Sequence, residues 1–121
     1  MTSRINIIDL FAGPGGLGEG FSSLKSGGDY PFKIRMSVEK EFSAHTTLTL
    51  RAFFRLLRER GDLQAYYDYV EGSITKDELI RLKPEEWQHA REETLGAPTA
   101  LGDDNAKIHQ RLFELKEQYR G

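Results

Sequence analysis

Apolar positions fall into two strand-like runs near the start of the chain and a series of helical stripes after them. The first run, Ile5 to Leu10, carries Ile5, Ile7, Ile8 and Leu10 and reads as a buried strand. Glycines follow it, and a helix is expected from Leu17. The second run, Lys33-Ile34-Arg35-Met36-Ser37-Val38, ends at Glu39, and Ser26-Gly27-Gly28-Asp29 before it reads as a turn. Leu50, Phe53, Phe54 and Leu57 then recur at i, i+3, i+4 and i+7. That stripe predicts a helix from a Ser43 cap to Arg60, closed by Gly61. Arg51, Arg55 and Arg58 fall on another side of it, where a solvated face is preferred over a phosphate contact.

The stretch 61–96 is polar and reads as three short helices. Asp62 is a candidate cap for one running through Val70. Thr75 and Glu78 form a capping box for the next. Pro84, Glu85 and Glu86 suit the first turn of the third, which carries Trp87, Ala90 and Arg91. Trp87 with Tyr66 and Tyr67 offers either a nucleic-acid stacking surface or internal packing. Packing is preferred, because short helices are stable only when they bury something. A last helix, Ala106 to Tyr119, places Ile108, Leu112, Leu115 and Tyr119 on one stripe that would cover the sheet.

The chemistry concentrates between the two strands. Gly13, Gly15 and Gly18 fit G-x-G-x-x-G. In that pattern one glycine makes the turn, one admits the ligand to the backbone and one lets the helix pack on the strand. Strand, glycine turn and helix together aim backbone N–H groups and a helix N-terminus at a ligand. Glu39 closes the second strand, the place where an acidic residue holds ribose hydroxyls. The pair indicates an adenosine-containing ligand. It does not separate a dinucleotide from S-adenosylmethionine.

Asp9-Leu10-Phe11-Ala12-Gly13, then Gly15-Gly16 and Gly20-Phe21, resembles the first motif of the DNA cytosine-5 methyltransferases. Ser37-Val38-Glu39-Lys40 with Phe42 and Ala44 resembles their second. The similarity covers about the first 50 residues, the span of one β-α-β unit. It implies an α/β fold: a partial Rossmann-like S-adenosylmethionine-dependent methyltransferase domain with a helical insertion. The whole of 1–121 would be its N-terminal part. Within it, 1–60 would be the cofactor-binding β-α-β-α unit, 61–96 the insertion, lying over the cofactor side or projecting from it, and 97–121 a connection and helix.

The resemblance also implies a cofactor site. Asp9, Phe11, Ala12, Gly13, Pro14, Gly15, Gly16 and Leu17 would form its loop, with Phe11, Gly13 and the turn from Pro14 to Leu17 around the methionine part. Glu39 would hold the ribose, and Lys40 would lie by the adenine, where the family often has a larger apolar residue. A core aromatic under the sheet edge is the alternative for Phe11. In the family a short strand next ends in Gly-Asp, whose aspartate meets the adenine amino group. Leu101-Gly102-Asp103 fits that loosely, although Asp103 and Asp104 suit a helix cap equally well.

The family's nucleophile is a cysteine, since a thiolate must attack the cytosine ring. This sequence has no cysteine. Nor does it carry the family's Glu-Asn-Val, arginine or late asparagine motifs, or a target-recognition region. The expectation is therefore an N-terminal piece with no catalytic residue of its own. DNA contact and base flipping would fall to the missing C-terminal regions. A net charge of −2 agrees that this part alone does not hold DNA strongly. The setting implied is a bacterial restriction–modification enzyme in the cytoplasm.

Other classes find less support. An NAD-type module and a non-catalytic S-adenosylmethionine-binding protein remain as alternatives. His45, His89 and His109 lie on different predicted helices without a metal-ligand spacing, so no metal is expected. The serines form no nucleophile elbow. No apolar run has the length of a membrane span. An open strand edge would favour self-association.

Overall fold

Two parallel strands joined by a helical crossover begin the chain in the computed structural model, which describes residues 4–119. The first three and last two residues of the expected 1–121 unit lie outside the described residues. Strand β1 is Ile5–Asp9, helix α1 is Gly16–Ser23 and strand β2 is Phe32–Ser37. Ile5 faces Phe32 and Ile7 faces Ile34 in the ladder, and a register shift after Ile7 sets Ile8 against Met36. Parallel neighbours cannot be joined by a tight turn, which is why α1 lies between them. Phe21 of α1 meets Phe32 of β2 edge to face at 5.2 Å. Helices α2 (Phe42–Glu59), α3 (Gln64–Val70), α4 (Lys76–Leu82), α5 (Pro84–Glu93) and α6 (Asn105–Gln118) follow. The described residues thus form a mixed α/β unit with a small parallel sheet, compatible with part of a methyltransferase fold.

The apolar stripes settle into two cores. In one, Ala52, Phe53 and Leu57 of α2 pack with Leu79 of α4 and Ala90 of α5. Trp87 stands edge-on to Phe53 at 5.2 Å, and Tyr66 tilts against Phe54 at 4.8 Å. Both aromatics are thus used in packing, while Tyr67 is exposed. In the other core, Met36 and Val38 meet Ile108 and Leu115, with Leu112 beside them, so α6 lies on the sheet. Tyr119, just past α6, lies with its ring centre 4.0 Å from the Arg35 guanidinium. Thr75 caps α4 by accepting the Glu78 N–H at 3.1 Å, and Pro84 opens α5.

Several expectations are corrected. Strand β1 is not buried: Ile5 is 58% exposed and Ile8 is exposed as well. Only β2 lies alongside it among the described residues, and the buried strand positions belong to β2. Glu41, not Ser43, caps α2, because its carboxylate reaches the Ala44 N–H. Asp62 leaves α3 uncapped and pairs with Lys83 instead. Arg55 is not on a solvated face. It is 4% exposed and sits between Glu93 at 3.0 Å and Glu19 at 3.5 Å. No strand forms before Asp103; the stretch 98–100 is irregular.

Candidate functional site

The site lies where β1 ends. Val38 N–H donates to the Asp9 carbonyl at 2.7 Å, and Ala12 N–H donates to the Val38 carbonyl at 2.9 Å. These bonds carry the pairing past both strands and bury Ala12. The Asp9 carboxylate accepts the Phe11 N–H at 3.2 Å, which bends the chain into the glycine turn.

Glu39 then fastens that turn. Its Oε1 accepts the Gly13 N–H at 3.1 Å, and its Oε2 accepts the Glu41 N–H at 2.7 Å. Its own carbonyl accepts the Thr99 N–H at 2.8 Å. A carboxylate offers about four acceptor directions, so two bonds leave room for hydroxyl donors. The side chain is held before any ligand arrives.

The glycines divide the work differently from the simple pattern. Gly13 has φ 56°, and a Cβ there would meet nothing within 4 Å, so this backbone faces open space. Gly15 has φ 99°, and a Cβ would come 3.0 Å from Cδ1 of Leu48 on α2. Its lack of a side chain serves the turn and the approach of α2. At Gly18 a Cβ would sit 3.7 Å from Ile34, ordinary contact between helix and strand. Helix α1 has no side-chain cap at its N-terminus, which leaves its first N–H groups to other acceptors.

The glycine-turn segment and the start of α2 also carry apolar side chains that are not covered. Phe11 is 80%, Leu17 67% and Phe42 75% exposed. The core alternative for Phe11 is therefore overturned. Pro14, Gly16 and Lys40 are also exposed. Asp103 stands exposed in the turn at 101–103, four residues after Thr99 is tied to Glu39. The aspartate that ties this turn is Asp104, whose Oδ2 accepts the Ala100 N–H at 2.8 Å. Sequence reasoning missed the Glu41 and Thr99 N–H groups. The first was within reach as a local turn two residues on; the second has no local signal, because it depends on how the chain returns from α5.

Among the described residues, no group of three or more His, Asp or Glu side chains is placed to hold a metal ion. No described helix is long and apolar enough to cross a membrane.

The arrangement is a β-α-β unit whose glycine turn is clamped by a carboxylate from the end of the second strand. In sequence the chain is 42% identical over 67 residues to the Type II methyltransferase M.Bpa9945I of Bacillus paralicheniformis. The match covers 55% of this chain but 14% of that protein's length. It supports a methyltransferase relationship. No family model matches the chain, and no solved structure matches it.

Proposed function

We propose that this chain is the cofactor-binding portion of a DNA cytosine-5 methyltransferase of a bacterial restriction–modification system, and that it binds S-adenosylmethionine. The observation that carries the reading is the Glu39 carboxylate held against the Gly13 N–H, in a loop whose flanks carry the exposed Phe11 and Leu17. The similarity to a Type II methyltransferase supports it. Glu39 accepts the ribose hydroxyls. The turn from Gly13 to Leu17, with Phe11, surrounds the methionine part, whose carboxylate suits the uncapped start of α1. Lys40 and Asp103 lie toward the adenine. Asp9 and Ala12 shape the loop through their hydrogen bonds. Gly15 and Gly16 form the turn into α1.

The cofactor supplies a methyl group on a positively charged sulfur, open to attack by a carbon nucleophile. The chain supplies no thiol for the cytosine ring, since it has no cysteine. It binds and orients; the attack on the base and the DNA contacts belong to other parts of a longer, cytoplasmic enzyme. The free edge of β1, with Ile5 and Ile8 exposed, favours self-association of this portion by itself.

An amide-resolved NMR titration tests the reading. S-adenosylmethionine is expected to shift Gly13, Gly15 and Glu39 in a saturable way, with NAD leaving them unmoved. Shifts with NAD and none with S-adenosylmethionine would move the chain to the dinucleotide-binding class.

A further inference from the structure

Three arginines of α2 meet different surroundings. Arg55 is buried between Glu93 and Glu19. The Arg58 guanidinium lies 5.4 Å from the ring centre of Tyr30. Arg51, one turn before Arg55, is exposed. Among the described residues no carboxylate forms an ion pair with it. Tyr66 feels its charge, but burial pushes that phenol up from its ordinary value. A neutral phenol does not compensate the cation.

The way α1 lies along α2 accounts for the difference. Glu19 comes four residues after Gly15 on α1, and Arg55 comes four residues after Arg51 on α2. Residues four apart share a helix face, so the two helices meet at two successive levels. At the Glu19 level the arginine finds a carboxylate. At the Gly15 level it finds bare backbone. A Cβ on Gly15 would lie 3.6 Å from Cδ of Arg51 and 4.0 Å from its Nη1. The stem of Arg51 therefore packs on the residue that opens α1, and its guanidinium ends beside the glycine turn. This chain places a cation at the turn and no anion to meet it. A carboxylate from a ligand matches the guanidinium fork in shape and charge.

We propose that Arg51 is a binding residue of the cofactor site and sets its preference for a ligand with a terminal carboxylate, which the guanidinium holds. The inference rests on the reading of the glycine turn as an S-adenosylmethionine site. It adds a second, separable contact: Glu39 holds the ribose and Arg51 holds the carboxylate of the methionine part.

Amide-resolved NMR titrations of the 121-residue chain provide the test, with S-adenosylmethionine and with its decarboxylated analogue, which lacks only the carboxylate. The wild type should prefer S-adenosylmethionine. Arg51→Gln should weaken that ligand about tenfold, the order of one charge-assisted hydrogen bond, and leave the analogue unchanged. Arg51→Met keeps the stem on Gly15 and should act alike. Arg51→Lys, which keeps the charge without the fork, should restore part of the affinity. Glu39→Ala should weaken both ligands alike. Folded Arg51→Gln and Arg51→Met variants that bind S-adenosylmethionine as the wild type does, or that lose both ligands equally, would overturn the inference and leave the cofactor reading standing. A wild-type chain that responds to neither ligand, or to NAD in their place, would overturn both.

Discussion

The Glu39 Oε1 atom accepts the Gly13 N–H at 3.1 Å across 26 residues of sequence. The end of the second strand thereby fixes the turn that follows the first. Glu41 N–H holds the other oxygen at 2.7 Å, so the carboxylate has little freedom left to lose when a hydroxyl-bearing ligand binds. Pre-orientation of this kind is what a preformed nucleoside site requires.

Two glycines of the loop should respond oppositely to alanine. Gly15 has φ 99° and a Cβ position 3.0 Å from Leu48. Gly15→Ala should cost about 1–3 kcal/mol from backbone strain and crowding. Gly18 lies within α1 with its Cβ position 3.7 Å from Ile34. Gly18→Ala should be neutral or should stabilise by up to about 1 kcal/mol. Urea denaturation of both variants checks the contrast, and equal losses would contradict it.

The buried pair of Arg55 and Glu93 makes a second test. Burial pushes the Glu93 carboxyl up from its ordinary value, and Arg55 beside it pulls the other way. Removing the guanidinium strands a buried charge. Arg55→Ala should therefore cost about 3–5 kcal/mol. Adding Glu93→Gln in that background should recover part of the loss, because an amide does not need a cation. A further loss in the double variant, measured by urea unfolding, would refute this account of the pair.

Glu59 gives a pH dependence of definite sign. Burial raises its carboxyl, but Lys33 and Arg4, each at 3.1 Å, outweigh that and hold it below its ordinary 4.5. Its contribution is therefore present above that value and is lost as pH falls through the lowered one. Glu59→Gln should cost up to about 1 kcal/mol at neutral pH, the range of a surface pair. The difference should vanish in acid. A gap between the two unfolding curves that persists at low pH would contradict the assignment.

Local signals carried much of this fold. The apolar run from Ile5 to Leu10, the stripe from Leu50 to Leu57, the Thr75 capping box and Pro84 each encode their element within a few residues. The placement of Glu39 at the glycine turn was legible for the same reason, since a β-α-β unit brings the end of its second strand beside the turn after its first. What failed depends on distant partners. Arg55 is buried because Glu93, 38 residues away, comes to meet it, and no helical periodicity can announce that. Ser43 lost the cap to Glu41 because the helix starts at Phe42, which puts Ser43 inside its first turn and the Ala44 N–H within reach of the Glu41 carboxylate. Asp62 likewise turned to Lys83 on a later helix. Thr99 reaches Glu39 only after the chain has returned past α5, so the stretch before Asp103 follows that contact and forms no strand.

The most direct measurement is calorimetric titration of S-adenosylmethionine into the wild-type chain and into Glu39→Ala. The account predicts saturable binding weaker than low micromolar for the wild type and its loss in the variant. No binding to the wild type, or an affinity unchanged by removal of the Glu39 carboxylate, would contradict it.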